Sequence, residues 1–281
     1  MSSMNYSGSP IIFTDLDGTL LDHDDYSFTA AQQALNTIAE KSIPLIINTS
    51  KTATEIIHLQ KQLTIKQPFI CENGAAVYLP PKHGDQGNIE NYHCEAFARP
   101  RQEILDVLHR LRAEQGYQFT GFADCDAPAI SDLTGLDLKQ SALALERNFS
   151  EPLLWQGSQN SRQHFIEQLQ QHQLIAQQGG RFITVSSAVN KAEAMAWLCK
   201  FYGGSQCVIA LGDSPNDEAM LNAADIAVVI PSKHSGHLDI SGAKQVIKTE
   251  LAGPAGWQAA MDRLLPLFST IQSSIQMASI E

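Results

Sequence analysis

Residues 10–22 read PIIFTDLDGTLLD, an apolar stretch that leads directly into Asp15 and Asp17 and then into Gly18 and Thr19. Burying charge costs free energy unless a partner compensates it. The two carboxylates at the end of this predicted strand therefore lie either in a solvated turn or around something positive. The D-x-D pair alone does not decide between these alternatives, because such short motifs also occur in ordinary turns.

The composition is that of a globular protein. The chain has 281 residues, of which 43% are hydrophobic and 17% charged, enough for a core domain with a smaller companion. The formal net charge of −11 argues against nucleic acid and anionic membranes as partners. The five cysteines form no C-x-x-C pair, which argues against a disulfide framework and a thiolate zinc site and favours a reducing compartment.

No targeting or membrane segment is expected. The first ten residues lack the basic and then apolar pattern of a signal peptide. No apolar run approaches the roughly 20 residues of a membrane-spanning helix. We therefore expect a soluble, cytoplasmic protein. Its oligomeric state, monomer or homodimer, does not follow from the sequence.

Strand and helix patterns alternate near both ends of the chain. The strand candidates are apolar throughout, which indicates a parallel sheet covered on both faces. The predicted strands are 11–14, 43–50, 68–74, 207–213 and 225–230, and the predicted helices are 28–41, 52–65, 190–203, 216–224 and one that begins near 253.

The pattern changes in the middle of the chain. A polar stretch is followed by a charged helix, a short strand, two helical patterns, another strand, a Gln-rich helix and two strands. We predict the α/β class, with a Rossmann-like parallel-sheet core at 1–82 and 187–281. Residues 83–186 are predicted to form an inserted, smaller α/β cap domain.

Polar residues follow four of the predicted core strands. They occur at 15–17, 48–51, 72–74 and 212–214. Ligands of open α/β sheets bind at the carboxyl ends of the strands, so these residues are expected to meet in space. This convergence points to a site more strongly than any one of the motifs does.

The Asp15/Asp17 pair does not fit the EF-hand, P-loop or dinucleotide-binding loops, and a magnesium site explains it better. An EF-hand loop from Asp15 would need Gly and Glu where Leu20 and Tyr26 stand. Neither a P-loop nor a dinucleotide-binding G-x-G-x-x-G is present at the first strand. The remaining alternative is that the carboxylates hold Mg²⁺ for phosphoryl transfer. The Thr49 hydroxyl and the Lys191 ammonium would then be available to the phosphoryl group.

The chain resembles the haloacid dehalogenase superfamily of phosphatases in four motifs. These are DLDGTL at 15–20, NTSKT at 48–52, Lys191 and GDSPND at 212–217, and they occur in the family's order. Within that superfamily the chain is similar to the mannosyl-3-phosphoglycerate phosphatases, through CENGAAVY, ERNFSEP, GGRF and GPAGW. The resemblance implies hydrolysis of a glycosyl-3-phosphoglycerate to mannosylglycerate or a related product.

The resemblance also implies a role for each matching residue. Asp15 is the expected nucleophile that forms an aspartyl-phosphate, and Asp17 the acid and base that serves both displacements. Thr49 and Lys191 hold the phosphoryl group. The expected Mg²⁺ ligands are Asp15, Asp17 through its backbone carbonyl, Asp213 and Asp217, and the expected substrate contacts are Ser50, Lys51, Asn73, Arg147, Arg181, Ser214 and Asn216.

Several alternatives stay open. Another capped phosphatase acting on sucrose phosphate or hexose phosphates, a phosphomutase, or a non-catalytic binding protein on the same fold would share most of these residues. A signalling receiver domain is set aside, because its phosphoacceptor lies on a middle strand.

Three of the expected substrate contacts also have plain structural interpretations. Lys51 is also explained as an ordinary lysine at a helix start, Asn73 as part of a turn, and Arg181 as a partner within the insert. No metal role is predicted for His234 and His237.

Overall fold

The computed structural model describes residues 8–82, 87–232 and 238–268. Residue contacts divide the chain into two compact units. The first unit comprises Met1–Thr49, Gln67–Ile70 and Asn190–Glu281, and the second comprises Ser50–Lys66 and Cys71–Val189. The predicted boundaries of core and cap at 82/83 and 186/187 stay a prediction. His234 and His237 lie outside the described residues.

The strands alternate with helices over most of the described chain. The strands are β1 (Pro10–Thr14), β2 (Leu45–Asn48), β3 (Phe69–Cys71), β4 (Ala76–Leu79), β5 (His93–Ala96), β6 (Phe119–Gly121), β7 (Ser150–Trp155), β8 (Leu174–Gly179), β9 (Phe182–Ser187), β10 (Cys207–Gly212), β11 (Ile226–Val229) and β12 (Gln245–Lys248). The helices are α1 (Gln32–Glu40), α2 (Ala53–Leu63), α3 (Arg101–Gln115), α4 (Ala127–Thr134), α5 (Leu138–Leu145), α6 (Gln159–Gln171), α7 (Lys191–Phe201), α8 (Glu218–Asn222) and α9 (Gly253–Leu264).

The first unit is built on a parallel sheet. β1 lies between β10 and β2, β10 pairs with β11, β11 with β12 and β2 with β3, all in parallel. Every residue of β1 is buried, in keeping with its apolar sequence and with a strand covered on both faces. The α/β class with a parallel-sheet core is thereby confirmed.

The register of the sheet determines what lies at its carboxyl edge. Thr14 of β1 is opposite Leu211 of β10, and the N–H of Asp15 donates to the Leu211 carbonyl at 3.0 Å. Residues that follow β1 and β10 therefore emerge side by side. Parallel strands allow this because their ends point in the same direction.

The second unit contains an antiparallel sheet in the order β6-β7-β9-β8. Its apolar face packs against α3 and α6 in one cluster, which includes Leu108, Leu153, Phe165 and Val185. β4 and β5 form an antiparallel pair in the same unit. The sequence analysis predicts the helices and the four strands of this sheet, but it assigns no strand to β5 or, in the first unit, to β12.

None of the helices in the described ranges combines the length and the apolar character that crossing a membrane requires.

Trp257 in α9 connects the last helix of the first unit to β1. Its side chain is fully buried, and its indole Nε1 donates to the Thr14 hydroxyl at 3.1 Å. Pro254 lies in the first turn of this helix, where a missing N–H is tolerated. The indole thus packs directly behind the strand that leads to Asp15.

Replacing Trp257 with alanine is expected to destabilise the protein by about 3 to 5 kcal/mol, because it leaves a large cavity in the core. Trp257→Phe keeps an aromatic ring in the core and loses the five-membered ring with its hydrogen bond to Thr14, so it leaves a smaller cavity and should cost clearly less. Urea unfolding of both variants measures the difference. Equal losses for the two would contradict the assignment of the effect to packing.

Candidate active site

The turn after β1 brings the backbone close to Asp213. Gly18 has a φ of +79°, and a Cβ at this position would lie 2.8 Å from Asp213 Oδ2. Glycine avoids both the strain of that conformation and the clash. Thr19, the next residue, donates from its hydroxyl to Asp213 Oδ1 at 3.3 Å.

Lys191 starts α7 and reaches into the first unit from the helix end. Asn190 caps the helix by accepting hydrogen bonds from the N–H groups of Ala192 and Glu193. The Lys191 carbonyl accepts a hydrogen bond from Asn48 Nδ2 at 3.1 Å, which ties the start of α7 to the end of β2.

The Lys191 ammonium lies between two carboxylates. Its Nζ is 2.6 Å from Asp15 Oδ1 and 2.6 Å from Asp217 Oδ1, and its side chain is fully buried. Such short, charge-assisted hydrogen bonds are the form in which a buried lysine is stabilised. Lys191 therefore holds the ends of β1 and of the GDSPND turn together.

The GDSPND turn places Asp213 and Asp217 beside each other. Asp217 Oδ2 accepts hydrogen bonds from the N–H groups of Asp213 and Ser214, both at 3.1 Å. Gly212 is required here, because a Cβ would come within 2.5 Å of the Asp217 Cβ. The Ser214 hydroxyl contacts Asn216 Oδ1 at 2.5 Å, so both predicted residues of this turn lie next to Asp217.

The cluster of Asp15, Asp213 and Asp217 carries an excess of negative charge. One carboxylate oxygen from each of the three lies within 4.8 Å of the other two, and all three residues are buried. Burial raises the pKa of Asp15, and the charges of Asp217 and Asp213 act in the same direction, against the effect of Lys191. Burial alone would lower the pKa of Lys191, but Asp15 and Asp217 together raise it above its ordinary value.

These residues fit a divalent cation. Three carboxylates and one ammonium leave a formal charge of −2 in the cluster, and carboxylate oxygens are the ligands that Mg²⁺ prefers. Burial also raises the pKa of Asp213, which a nearby cation would counteract. Asp17 is half-buried two residues from Asp15.

Thr49 presents a second feature that suits a ligand. It follows β2, its N–H donates to the Ile70 carbonyl at 3.1 Å, and its side chain is buried. Within the described ranges, its hydroxyl oxygen has no hydrogen-bond partner. A buried hydroxyl in this state is costly, which points to a polar group that it would contact.

The predicted substrate contacts at 50–181 belong to the second unit. Lys51 Nζ lies 3.8 Å from Glu55 Oε1 near the start of α2, and Asn73 lies in a turn with a φ of +61°. Arg147 is mostly buried and donates to the Ser50 carbonyl. Arg181 is exposed and donates to the Leu133 carbonyl at 2.7 Å, a contact within the insert.

Three further residues contact the predicted site residues, although the sequence did not identify them as part of the site. Thr19 and Ser232 hydrogen-bond to Asp213, and Asn48 positions the backbone of Lys191. The position of Asn48 at a strand end, just before Thr49, was a usable indication. Nothing in the sequence around Ser232 indicates its contact.

Comparison with known proteins places this arrangement in a family. The family model for haloacid dehalogenase-like hydrolases matches residues 12–120 and 145–244. The chain therefore belongs to the haloacid dehalogenase-like hydrolases, and the predicted resemblance is confirmed.

Two relatives are similar over nearly their whole length. A glucosyl-3-phosphoglycerate/mannosyl-3-phosphoglycerate phosphatase of Methanococcoides burtonii is 39% identical over 264 residues, 91% of this chain and 97% of the relative. A protein of the same name from Persephonella marina is 37% identical over 269 residues, 91% of this chain and 97% of the relative.

Solved structures share the fold. A phosphatase of the haloalkanoate enzyme superfamily from Bacteroides thetaiotaomicron superimposes with a TM-score of 0.66 at 18% identity, over 95% of this chain and 97% of the other. At this level of identity the similarity concerns the fold alone.

Replacing Lys191 with methionine is expected to lower the free energy of unfolding by about 3 to 5 kcal/mol, because Asp15 and Asp217 lose their buried cation. Lys244→Met is the matched control. Lys244 also pairs with an aspartate, Asp225, at 2.5 Å, but its side chain is 78% exposed, so the stability should hardly change. Urea unfolding measures both, and a similar loss in the two variants would contradict the importance of burial.

Proposed function

We propose that the protein is a Mg²⁺-dependent phosphomonoester hydrolase. Its substrate is a glycosyl-3-phosphoglycerate, with mannosyl-3-phosphoglycerate first among them and mannosylglycerate as the product. The observation that carries the proposal is the buried Lys191, bonded to Asp15 and Asp217, with Asp213 beside them. Both relatives are named glucosyl-3-phosphoglycerate/mannosyl-3-phosphoglycerate phosphatase, which supports the substrate.

Asp15 is the proposed nucleophile. One carboxylate oxygen attacks phosphorus, and the P–O bond to the 3-oxygen of the glycerate breaks as the aspartyl-phosphate forms. Asp17 donates a proton to that leaving oxygen and later removes one from the attacking water. The half-buried position of Asp17, next to the buried Asp15, suits a group that exchanges protons with solvent and substrate.

Lys191 and Thr49 are proposed to hold the transferring phosphoryl group. The Lys191 ammonium supplies positive charge where negative charge develops on the phosphoryl oxygens. The buried Thr49 hydroxyl is available to donate to one of these oxygens. Both groups are already oriented by the fold, so little reorganisation is needed during the reaction.

The ion would be held by Asp15, Asp213, Asp217 and the backbone carbonyl of Asp17. When bound, Mg²⁺ compensates the charge of the carboxylates and of the phosphate. Thr19 and Ser232 keep the Asp213 carboxylate in place through their hydrogen bonds. This is the outer layer of contacts that orients ligands in metal sites.

The substrate contacts of the predicted residues remain a proposal. They are Ser50, Lys51, Asn73, Arg147, Arg181, Ser214 and Asn216. Arginine suits phosphate or carboxylate because its planar guanidinium donates two parallel hydrogen bonds. The cap at 83–186 is proposed to supply specificity. We also propose that the protein is cytoplasmic.

Phosphate release in the presence of Mg²⁺ tests the proposal directly. The substrates would be mannosyl- and glucosyl-3-phosphoglycerate, sucrose 6-phosphate, mannose 6-phosphate and 3-phosphoglycerate. The expected result is a preference for a glycosyl-3-phosphoglycerate, with kcat lowered about a thousandfold or more in Asp15→Asn, because the nucleophile is lost.

Two other results would count against parts of the proposal. Preference for a plain sugar phosphate would refute the substrate but keep the chemistry. Full activity in Asp15→Asn would refute the aspartyl-phosphate mechanism.

Metal binding has a readout that does not depend on activity. At a concentration of about one hundred times its Kd, Mg²⁺ should stabilise the folded protein by about 2.7 kcal/mol. This corresponds to a rise in Tm of about 5 °C or more. Asp213→Asn should abolish most of that rise, whereas Asp225→Asn, at an aspartate paired with Lys244, should retain it. An undiminished rise in Asp213→Asn would contradict the metal assignment.

A further inference from the structure

Glu72 is a buried carboxylate that the proposed chemistry does not use. Its side chain is fully buried in the second unit. Glu72 and Asn73 both have positive φ angles, 47° and 61°, which residues other than glycine rarely adopt. A buried charge and a strained backbone both cost free energy, so their occurrence at one residue points to a specific role.

The Glu72 carboxylate binds the backbone that leads into β7. It accepts hydrogen bonds from the N–H groups of Asn148 at 2.9 Å and Phe149 at 3.2 Å, and from the Ser150 hydroxyl at 2.5 Å. Arg147 Nη1 lies 3.7 Å from Glu72 Oε2 and completes the set of partners. One carboxylate thus fixes four consecutive residues.

Arg147 in turn holds the backbone of Ser50. Its Nη1 and Nη2 lie 3.3 and 3.4 Å from the Ser50 carbonyl oxygen, and Nη1 also donates to the Ser150 hydroxyl at 2.9 Å. The Arg147 side chain is only 11% exposed. Its guanidinium is therefore held in place by Glu72, Ser150 and the Ser50 carbonyl together.

The residues after Ser50 are fixed by further hydrogen bonds of the same unit. The Lys51 carbonyl accepts from the N–H of Glu72 at 3.0 Å, and the Thr52 hydroxyl donates to the Leu143 carbonyl at 3.0 Å. Ser50, Lys51 and Thr52, here called the 50–52 segment, each have an oxygen bonded to a residue outside the segment. Glu72 contributes to two of these three contacts, once through its own N–H and once through Arg147.

We infer that Glu72 is a positioning residue for substrate binding, whose carboxylate fixes the 50–52 segment through Arg147 while its backbone N–H holds the Lys51 carbonyl. The inference rests on the proposed function, in which Ser50 and Lys51 contact the phosphorylated sugar. A neutral side chain would fill the turn with a smaller desolvation cost. A carboxylate is needed because it alone accepts hydrogen bonds from three donors and pairs with the Arg147 cation.

Glu72→Gln tests the inference by steady-state kinetics on the preferred glycosyl-3-phosphoglycerate. The amide keeps the size of the side chain, but its NH₂ group cannot accept a hydrogen bond or pair with Arg147. With the 50–52 segment less well placed, KM should rise about tenfold or more, with a smaller change in kcat.

Glu151→Gln is the matched control. Glu151 is also fully buried in the second unit, and its partners are the Arg101 guanidinium at 2.5 Å and the N–H of Ala123 at 2.8 Å. Both variants should be less stable in urea, because each disrupts a buried ion pair. A raised KM in Glu72→Gln, but not in Glu151→Gln, separates positioning from general destabilisation.

Ser150→Ala provides a milder test of the same contacts. It removes the hydroxyl that bonds to both Glu72 and Arg147 and leaves every charge in place. We expect a smaller increase in KM in the same direction, and non-additive effects in a double variant with Glu72→Gln, because the two residues share these bonds.

The outcomes separate this inference from the function on which it rests. Equal KM values in Glu72→Gln, Ser150→Ala and the wild type, with normal turnover, would overturn the positioning role and leave the phosphatase intact. No phosphate release by the wild type from any glycosyl-3-phosphoglycerate would overturn the proposed substrate, and the positioning role with it.

Discussion

The rest of the first unit's site depends on one interaction, the buried contact of the Lys191 ammonium with Asp15 and Asp217. A lysine without exposed surface is tolerated only if its charge is compensated at short distance. The end of β1, the start of α7 and the GDSPND turn each contribute one charged group to this contact. Asn190 caps the helix and Asn48 holds its first carbonyl, so the lysine reaches both carboxylates from a well-defined start.

The parallel arrangement of β1, β2 and β10 provides the frame for this interaction. Because the three strands end at the same edge, residues distant in sequence meet without long loops. Two glycines then allow a closer approach than side chains would permit. Gly18 makes room beside Asp213, and Gly212 makes room beside Asp217, so the carboxylates lie within 4.8 Å of one another.

The sequence predicts the buried part of the fold better than its edges. β1, β2, β10 and β11 are apolar except at the last residue of β1 and of β2, and they stand before polar turns, so their pattern is unambiguous. β5 and β12 are edge strands with mostly exposed or half-buried residues, and their polar sequences resemble loops. Asp15, Lys191 and Asp213 could be named from the sequence because each belongs to a motif of the family, and Asp15 and Asp213 directly follow predicted strands.

The part of the site that could not be predicted depends on contacts between distant segments. Glu72 resembles an ordinary turn residue in the sequence, and its bonds to 147–150 appear only in the folded chain. Charge balance separates its environment from that of Lys191. Glu72 pairs with Arg147, and Glu151 with Arg101, one carboxylate for one guanidinium, and neither pair requires a further ion. Around Lys191 three carboxylates face one ammonium. A buried cluster with this imbalance is suited to binding a cation, whereas the balanced pairs are suited to holding the backbone in position.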